Sequence, residues 1–178
     1  PMKELNRRAF LKLSGASAAL LALAACGGGS SAPAAPATPK DAKVLEAINL
    51  YRGKLPPLTL DSGLDPAMEI VVKIAKGEMK YDENAMNALS AAYAANYNGF
   101  FAPIGVRMDN DDEDMNVTPV CVYSDNAEEM ARNLNNQLDE VAKANLKSPA
   151  IKLVNIKTFE YSGVTYWVAL IAEGKKTA

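Results

Sequence analysis

The sequence predicts a layered α+β sandwich, and three observations carry that expectation. Four stretches repeat apolar residues at helical spacing. Two strand-like runs face each other across Ser162-Gly163. The second of these, Val164 to Ala172, is apolar or aromatic on both faces, as a strand in mid-sheet covered on both sides must be.

The first helix is expected from about Ala42 to Gly53, with Val44, Ala47, Ile48 and Tyr51 on one face. Pro56 and Pro57 then force an extended segment through Leu58 and Leu60. Asp65-Pro66 opens a second helix, Asp as cap and Pro in the first turn, with a stripe of Met68, Val71, Val72, Ala75 and Met79. A third runs from Glu83 to Tyr97 through Met86, Leu89 and Tyr93, and stops near Asn98-Gly99. Strands are expected at Phe100 to Met108 and at Val117 to Tyr123, with Cys121 a small buried hydrophobe. A fourth helix opens at Asp125, where Asp125 and Glu128 form a capping-box pattern, and carries Met130, Leu134, Leu138, Val141 and Ala142. The closing hairpin spans Ile151 to Tyr161 and Val164 to Ala172.

Ahead of this domain the sequence reads as an address. Arg7, Arg8 and Lys12 form a positive head before an apolar run from Leu13 to Ala25. Thirteen helical residues cover about 20 Å, short of the roughly 30 Å of a bilayer core, so residues 1–25 are expected to be an export signal. Arg7-Arg8-Ala9-Phe10-Leu11-Lys12 resembles the twin-arginine export motif, and Leu23-Ala24-Ala25-Cys26 resembles the lipobox of bacterial lipoproteins. Lipidation is expected at Cys26, whose thiol can accept a diacylglyceryl group, and two acyl chains make a stable anchor. Residues 26–40, rich in Gly, Ser, Ala and Pro, read as a tether, 41–174 as the folded domain and 175–178 as a tail.

Composition excludes much. Loss of residues 1–25 removes four basic and one acidic side chain from totals of 19 and 21, leaving 15 and 20, a net charge of −5. That balance disfavours nucleic acid and anionic lipid headgroups as partners. The absence of histidine removes Ser-His-Asp and Cys-His nucleophiles and His-ligated zinc or haem. With Cys26 lipidated, Cys121 stands alone and no internal disulfide forms. No phosphate-cradling glycine loop lies between a strand and a helix, so no cofactor is expected. Asp109 to Asp114 holds five acids in six residues; Asp109, Asp111 and Glu113 are candidate calcium ligands, but the segment lacks the turn glycine and closing glutamate of an EF-hand loop. A solvated acidic loop is the plainer expectation.

Val44-Leu45-Glu46-Ala47-Ile48-Asn49-Leu50-Tyr51-Arg52, followed by Leu55-Pro56-Pro57-Leu58-Thr59-Leu60-Asp61 and Leu64, resembles the opening of a CAP domain. That superfamily includes cysteine-rich secretory proteins, antigen 5 and plant pathogenesis-related proteins. Asn126-Ala127-Glu128-Glu129, then Lys143-Ala144-Asn145-Leu146-Lys147-Ser148-Pro149, is similar to the family's later helix and the loop after it, and Thr165-Tyr166-Trp167-Val168-Ala169 resembles its terminal strand. The resemblance implies an α-β-α sandwich with a mostly antiparallel sheet covered by helices on both faces. It also shows a departure. Many CAP domains carry two histidines and two acids in a central cleft; here Ala142 stands where a histidine is common, and Ile104-Gly105-Val106-Arg107-Met108 replaces an acid-bearing strand. No metal tetrad carries over.

Two functions follow as expectations. The first is a non-catalytic binding module on the outer side of a bacterial membrane, taking a lipid, another small apolar ligand or an envelope protein. The second is a carboxylate-based hydrolase of cell-wall or glycan material, using residues such as Glu69, Glu78 or Glu83. The discriminating observation is whether two carboxylates converge in a concave pocket with one of them partly buried.

Overall fold

The computed structural model describes residues 34–99, 103–111 and 114–177. The signal residues Arg7, Arg8, Phe10, Leu11 and Lys12, the lipobox cysteine Cys26 and the calcium candidate Glu113 lie outside the described residues. The compact unit begins at Ala34, and no described helix is long and apolar enough to cross a membrane.

Helix α1 spans Pro39–Arg52. It starts earlier than its apolar stripe suggests because the Thr38 side chain accepts from Asp41 N at 3.1 Å and Pro39 takes the first turn. Strand β1, Thr59–Leu60, leads into a short 3₁₀ turn, Ser62–Leu64. Asp61 caps that turn by accepting from Gly63 N at 2.8 Å, so Asp65 is the first residue of α2, Asp65–Ala75, and not its cap. The helix stops where Gly77 takes a φ of 72°. Met79 therefore falls beyond it, and Ile74 takes the core position expected for Val72.

The third expected helix is shorter than its pattern. Helix α3, Glu83–Leu89, passes into a π-helical turn over Ser90–Ala94, and Tyr97–Asn98 form strand β2. The wider turn changes which side chains face inward: Leu89 and Tyr93 are buried, while Met86 is 43% exposed.

Strands β3, Val106–Asp111, and β4, Asp114–Pro119, pair antiparallel. The acidic segment expected as a loop instead prolongs both strands, with Asp109 opposite Asn116 and Asp111 opposite Asp114. The fourth expected helix is two helices. Asn126, not Asp125, caps α4, Ala127–Gln137, by accepting from Glu129 N at 3.0 Å. Leu138 is extended, and Asp139 restarts the chain by capping α5, Glu140–Leu146, with Ala142 N at 2.7 Å. The break turns Val141 to solvent, 59% exposed.

The closing hairpin stands as expected: β5, Leu153–Tyr161, and β6, Val164–Ala172, joined through Ser162 (φ 51°) and Gly163 (φ 77°). The other side of β6 is taken by Trp167 N donating to Cys121 O at 3.0 Å and Ala169 N to Ile104 O at 2.9 Å. β1 pairs parallel to the outer edge of β5. Lys175 and Lys176, expected in a tail, are held in the fold: β7, Gly174–Lys175, pairs with β2, and Lys176 N donates to Asn96 O at 2.8 Å.

The fold is mixed α+β, and β6 separates two cores. Trp167, Ala169 and Ile171 pack with Val44, Ile48 and Leu134 from α1 and α4; Val168, Leu170 and Ala172 pack with Met68, Val71 and Tyr93 from α2 and the π turn. Cys121 is fully buried in the first of these.

Candidate functional site

A concavity at the sheet edge follows from a short strand. β1 is two residues long, so its ladder to β5 ends early: Thr59 N donates to Lys152 O at 2.8 Å and Asp61 N to Val154 O at 2.9 Å. One step further, the Asn155 side chain replaces the main chain as donor to Asp61 O, at 3.1 Å. The outward main chain of Ile156 then meets a cavity instead of a neighbouring strand. This cavity, about 410 Å³, lies between residues 34–37, α2 and β5. Its volume is in the range of small-molecule sites. Leu60, Met68, Val72 and Ile156 supply its apolar wall.

Four carboxylates line it: Asp41, Asp65, Glu69 and Glu78, with Lys73 and Lys157 as the cations. Asp41 is 1% exposed. The Thr38 cap places it in the first turn of α1, and its Oδ1 accepts from both Thr158 N at 2.9 Å and Thr158 Oγ1 at 3.0 Å. Its Oδ2 is buried with no hydrogen-bond partner among the described residues. Asp65 Oδ1 accepts from Asn155 Nδ2 at 2.7 Å, and Glu78 pairs with Lys76 Nζ at 2.6 Å. Glu69 is exposed on α2.

Of the acids singled out from the sequence, Glu69 and Glu78 line the cavity, whereas Glu83, which opens α3, does not. Asp41 and Asn155 carry no site signal in the sequence pattern, and Asp65 stands out there only as a helix start. Thr38-Pro39 was the available signal, since reading it as a helix start puts Asp41 in the first turn facing the sheet.

The other candidates carry less. Asp109 accepts from Arg107 Nε at 3.0 Å, so a cation already faces it. Among the described residues no group of three or more His, Cys, Asp or Glu is placed to hold a metal ion. Burial pushes the Cys121 thiol up to about 12, which leaves almost no nucleophilic thiolate at neutral pH. The apolar depression among Val71, Ile74, Leu89, Val106 and Met108 encloses about 10 Å³, room for one water at most. On α2, Ala75 is packed core alone, whereas Met68 belongs to the core and also reaches the wall of the cavity.

Fold and cavity together define a mixed α+β domain with an acid-lined pocket at a sheet edge. The chain matches no family model, no curated protein and no solved structure.

Proposed function

We propose that this chain is a lipoprotein of the bacterial envelope, exported on residues 1–25, anchored through diacylated Cys26, and carrying a non-catalytic CAP-like binding domain for a small ligand. The order of elements supports the CAP-like reading: three helical segments, a hairpin, two helices and a second hairpin, with helices against both faces of β6. The cavity of about 410 Å³ carries the binding reading. Its apolar wall can bury the body of a ligand while its charged groups orient the polar end.

Three of the four carboxylates are already engaged by Thr158, Asn155 and Lys76, an arrangement that positions them as structure and as charge. Native mass spectrometry of the full chain extracted from its own membranes tests the reading. The expected result is a co-purifying small molecule, and a diacylglyceryl mass on the Cys26 peptide. A bare protein mass would remove the main support for ligand binding.

A carboxylate-based hydrolase is the second reading, favoured by Glu69 and Glu78 lining the same cavity. It requires that Glu69→Gln or Glu78→Gln abolish a measurable clearing of purified cell walls by the wild-type protein. No clearing by the wild type sinks it.

A further inference from the structure

A buried carboxylate, Asp41, lies in the wall of the cavity. Buried carboxylate oxygens are almost always hydrogen-bonded or paired, yet Asp41 Oδ2 has no partner among the described residues while Oδ1 is held twice by Thr158. We infer that the cavity receives the protonated amine of an organic ligand, with Asp41 Oδ2 as the acceptor of its N–H and the compensating charge. This deepens the binding reading above and rests on it.

Four features select an amine. The cavity wall carries four carboxylates against two lysines, so its field favours a cation. No described ion pair joins Lys73 or Lys157 to Asp41, and both lysines are exposed, so neither lysine is the partner of Oδ2. A divalent metal is a poor match: calcium takes six to eight oxygens, and no described cluster supplies even three acidic, Cys or His ligands. Finally, Asp41 is 1% exposed, so a cation reaching it must shed its water. An ammonium on a short apolar chain compensates that loss by burying its body against Leu60, Met68, Val72 and Ile156. The amine chemistry is common to soluble amines and to aminated lipid headgroups.

Titration of the ¹⁵N-labelled full chain with hexylamine and with 1-hexanol at pH 7 separates charge from apolar filling. The amide of Thr158, which donates to the other oxygen of Asp41, is the reporter. Hexylamine is expected to shift that amide saturably and to bind at least tenfold more tightly than hexanol. Asp41→Asn is expected to erase this preference. Because that variant also alters the tie to β5, Val72→Trp, which fills the cavity and leaves Asp41 in place, serves as a second variant and is expected to abolish the Thr158 shift. Displacement of hexylamine by phosphatidylethanolamine vesicles, and not by phosphatidylglycerol vesicles, would assign the amine to a lipid headgroup; no displacement by either assigns it to a soluble amine. Equal binding of hexylamine and hexanol would overturn the amine proposal and leave the binding module intact. Failure of both to bind would overturn the amine proposal as well, with the module then judged by its co-purifying mass.

Discussion

Arg52 donates through Nη2 to the carbonyl oxygen of Ile151, 3.2 Å away and 99 residues later in the chain. The same guanidinium donates to Pro56 O from Nη2 at 3.2 Å and to Leu146 O from Nη1. It is 4% exposed, and its described hydrogen-bond partners are all main-chain carbonyls. A planar fork with five donors suits this task, and the end of α1 is where the helix dipole favours a cation. The residue pins the end of α1 to the segment between α5 and β5.

Arg52→Met keeps most of the volume and strands those carbonyls. We predict a loss of about 3 kcal/mol, read as a lower midpoint in urea at unchanged slope. A change below about 0.5 kcal/mol, the level of an ordinary surface substitution, would show that the carbonyls find water instead.

Gly63 is tied to Tyr97 by space. A Cβ at Gly63 would lie 2.2 Å from Tyr97 Oη, with Tyr97 Cζ next on that ring at 3.5 Å. Gly63→Ala is predicted to destabilise by about 1–3 kcal/mol. Tyr97→Phe alone loses only a long hydrogen bond to Asp61 Oδ2, 3.3 Å. In the double variant the clashing oxygen is gone, so the double variant should be more stable than Gly63→Ala alone. Simple additivity of the two losses would refute the steric account.

The stacked pair Tyr93 and Tyr97 should resist alkali. Both phenols are pushed up to about 12, by burial first and then by Glu173 for Tyr93 and Asp61 for Tyr97. Below pH 10, the ordinary phenol value, both folded and unfolded chains hold these protons and the stabilisation is complete. Between pH 10 and 12 the unfolded chain releases them first, so stability is lost as pH rises. Absorbance at 295 nm should show a tyrosine step near pH 12, diminished in Tyr93→Phe. Complete tyrosine ionisation near pH 10 in the folded protein would contradict this.

Cys121 should be silent. Its thiol is raised from 9 to about 12, which lowers the thiolate fraction about a thousandfold, and its side chain is fully buried. In a Cys26→Ser chain, a thiol-specific disulfide reagent is predicted to react only after urea is added. Rapid labelling under native conditions would mean that this part of the core opens readily.

Val141 tests the break between α4 and α5. On one continuous helix it would share the inward stripe with Leu138; in the structure it is exposed and Leu138 is buried. Val141→Lys should change stability by no more than about 0.5 kcal/mol, whereas Leu138→Lys should prevent cooperative unfolding. Equal damage from both would restore the single helix.

The parts that sequence patterning could read are those whose pattern and turn chemistry agree. The β5–β6 hairpin is one: alternation, two-sided burial and Ser162-Gly163 all point the same way. The core face of α1 is another, with Val44, Ala47, Ile48 and Tyr51 all buried. What went unread depends on local competition. At Leu138-Asp139 the apolar spacing continues across the gap, but a free carboxylate at Asp139 captures Ala142 N and starts a new helix. Around Ser90 the wider turn rotates the inward face, which periodicity cannot anticipate. The acidic run at 109–111 extends a strand because its partners across the ladder, Asn116 and Met115, dictate pairing that charge alone would discourage. The cavity was the least legible part, since Asp41 and Asp65 reach it from different elements and meet β5 only in three dimensions.

Because β6 deals its residues alternately to two cores, its alignment against β5 is common property of both halves of the molecule. Sliding β6 by one position would send Trp167 to the side built for Val168, and neither side could be filled by what arrived. The two cores therefore cannot be assembled one at a time and corrected separately. Ser162 and Gly163 act as a single origin from which both are measured, and lengthening that turn by one residue should scramble helices on opposite sides of the sheet at once.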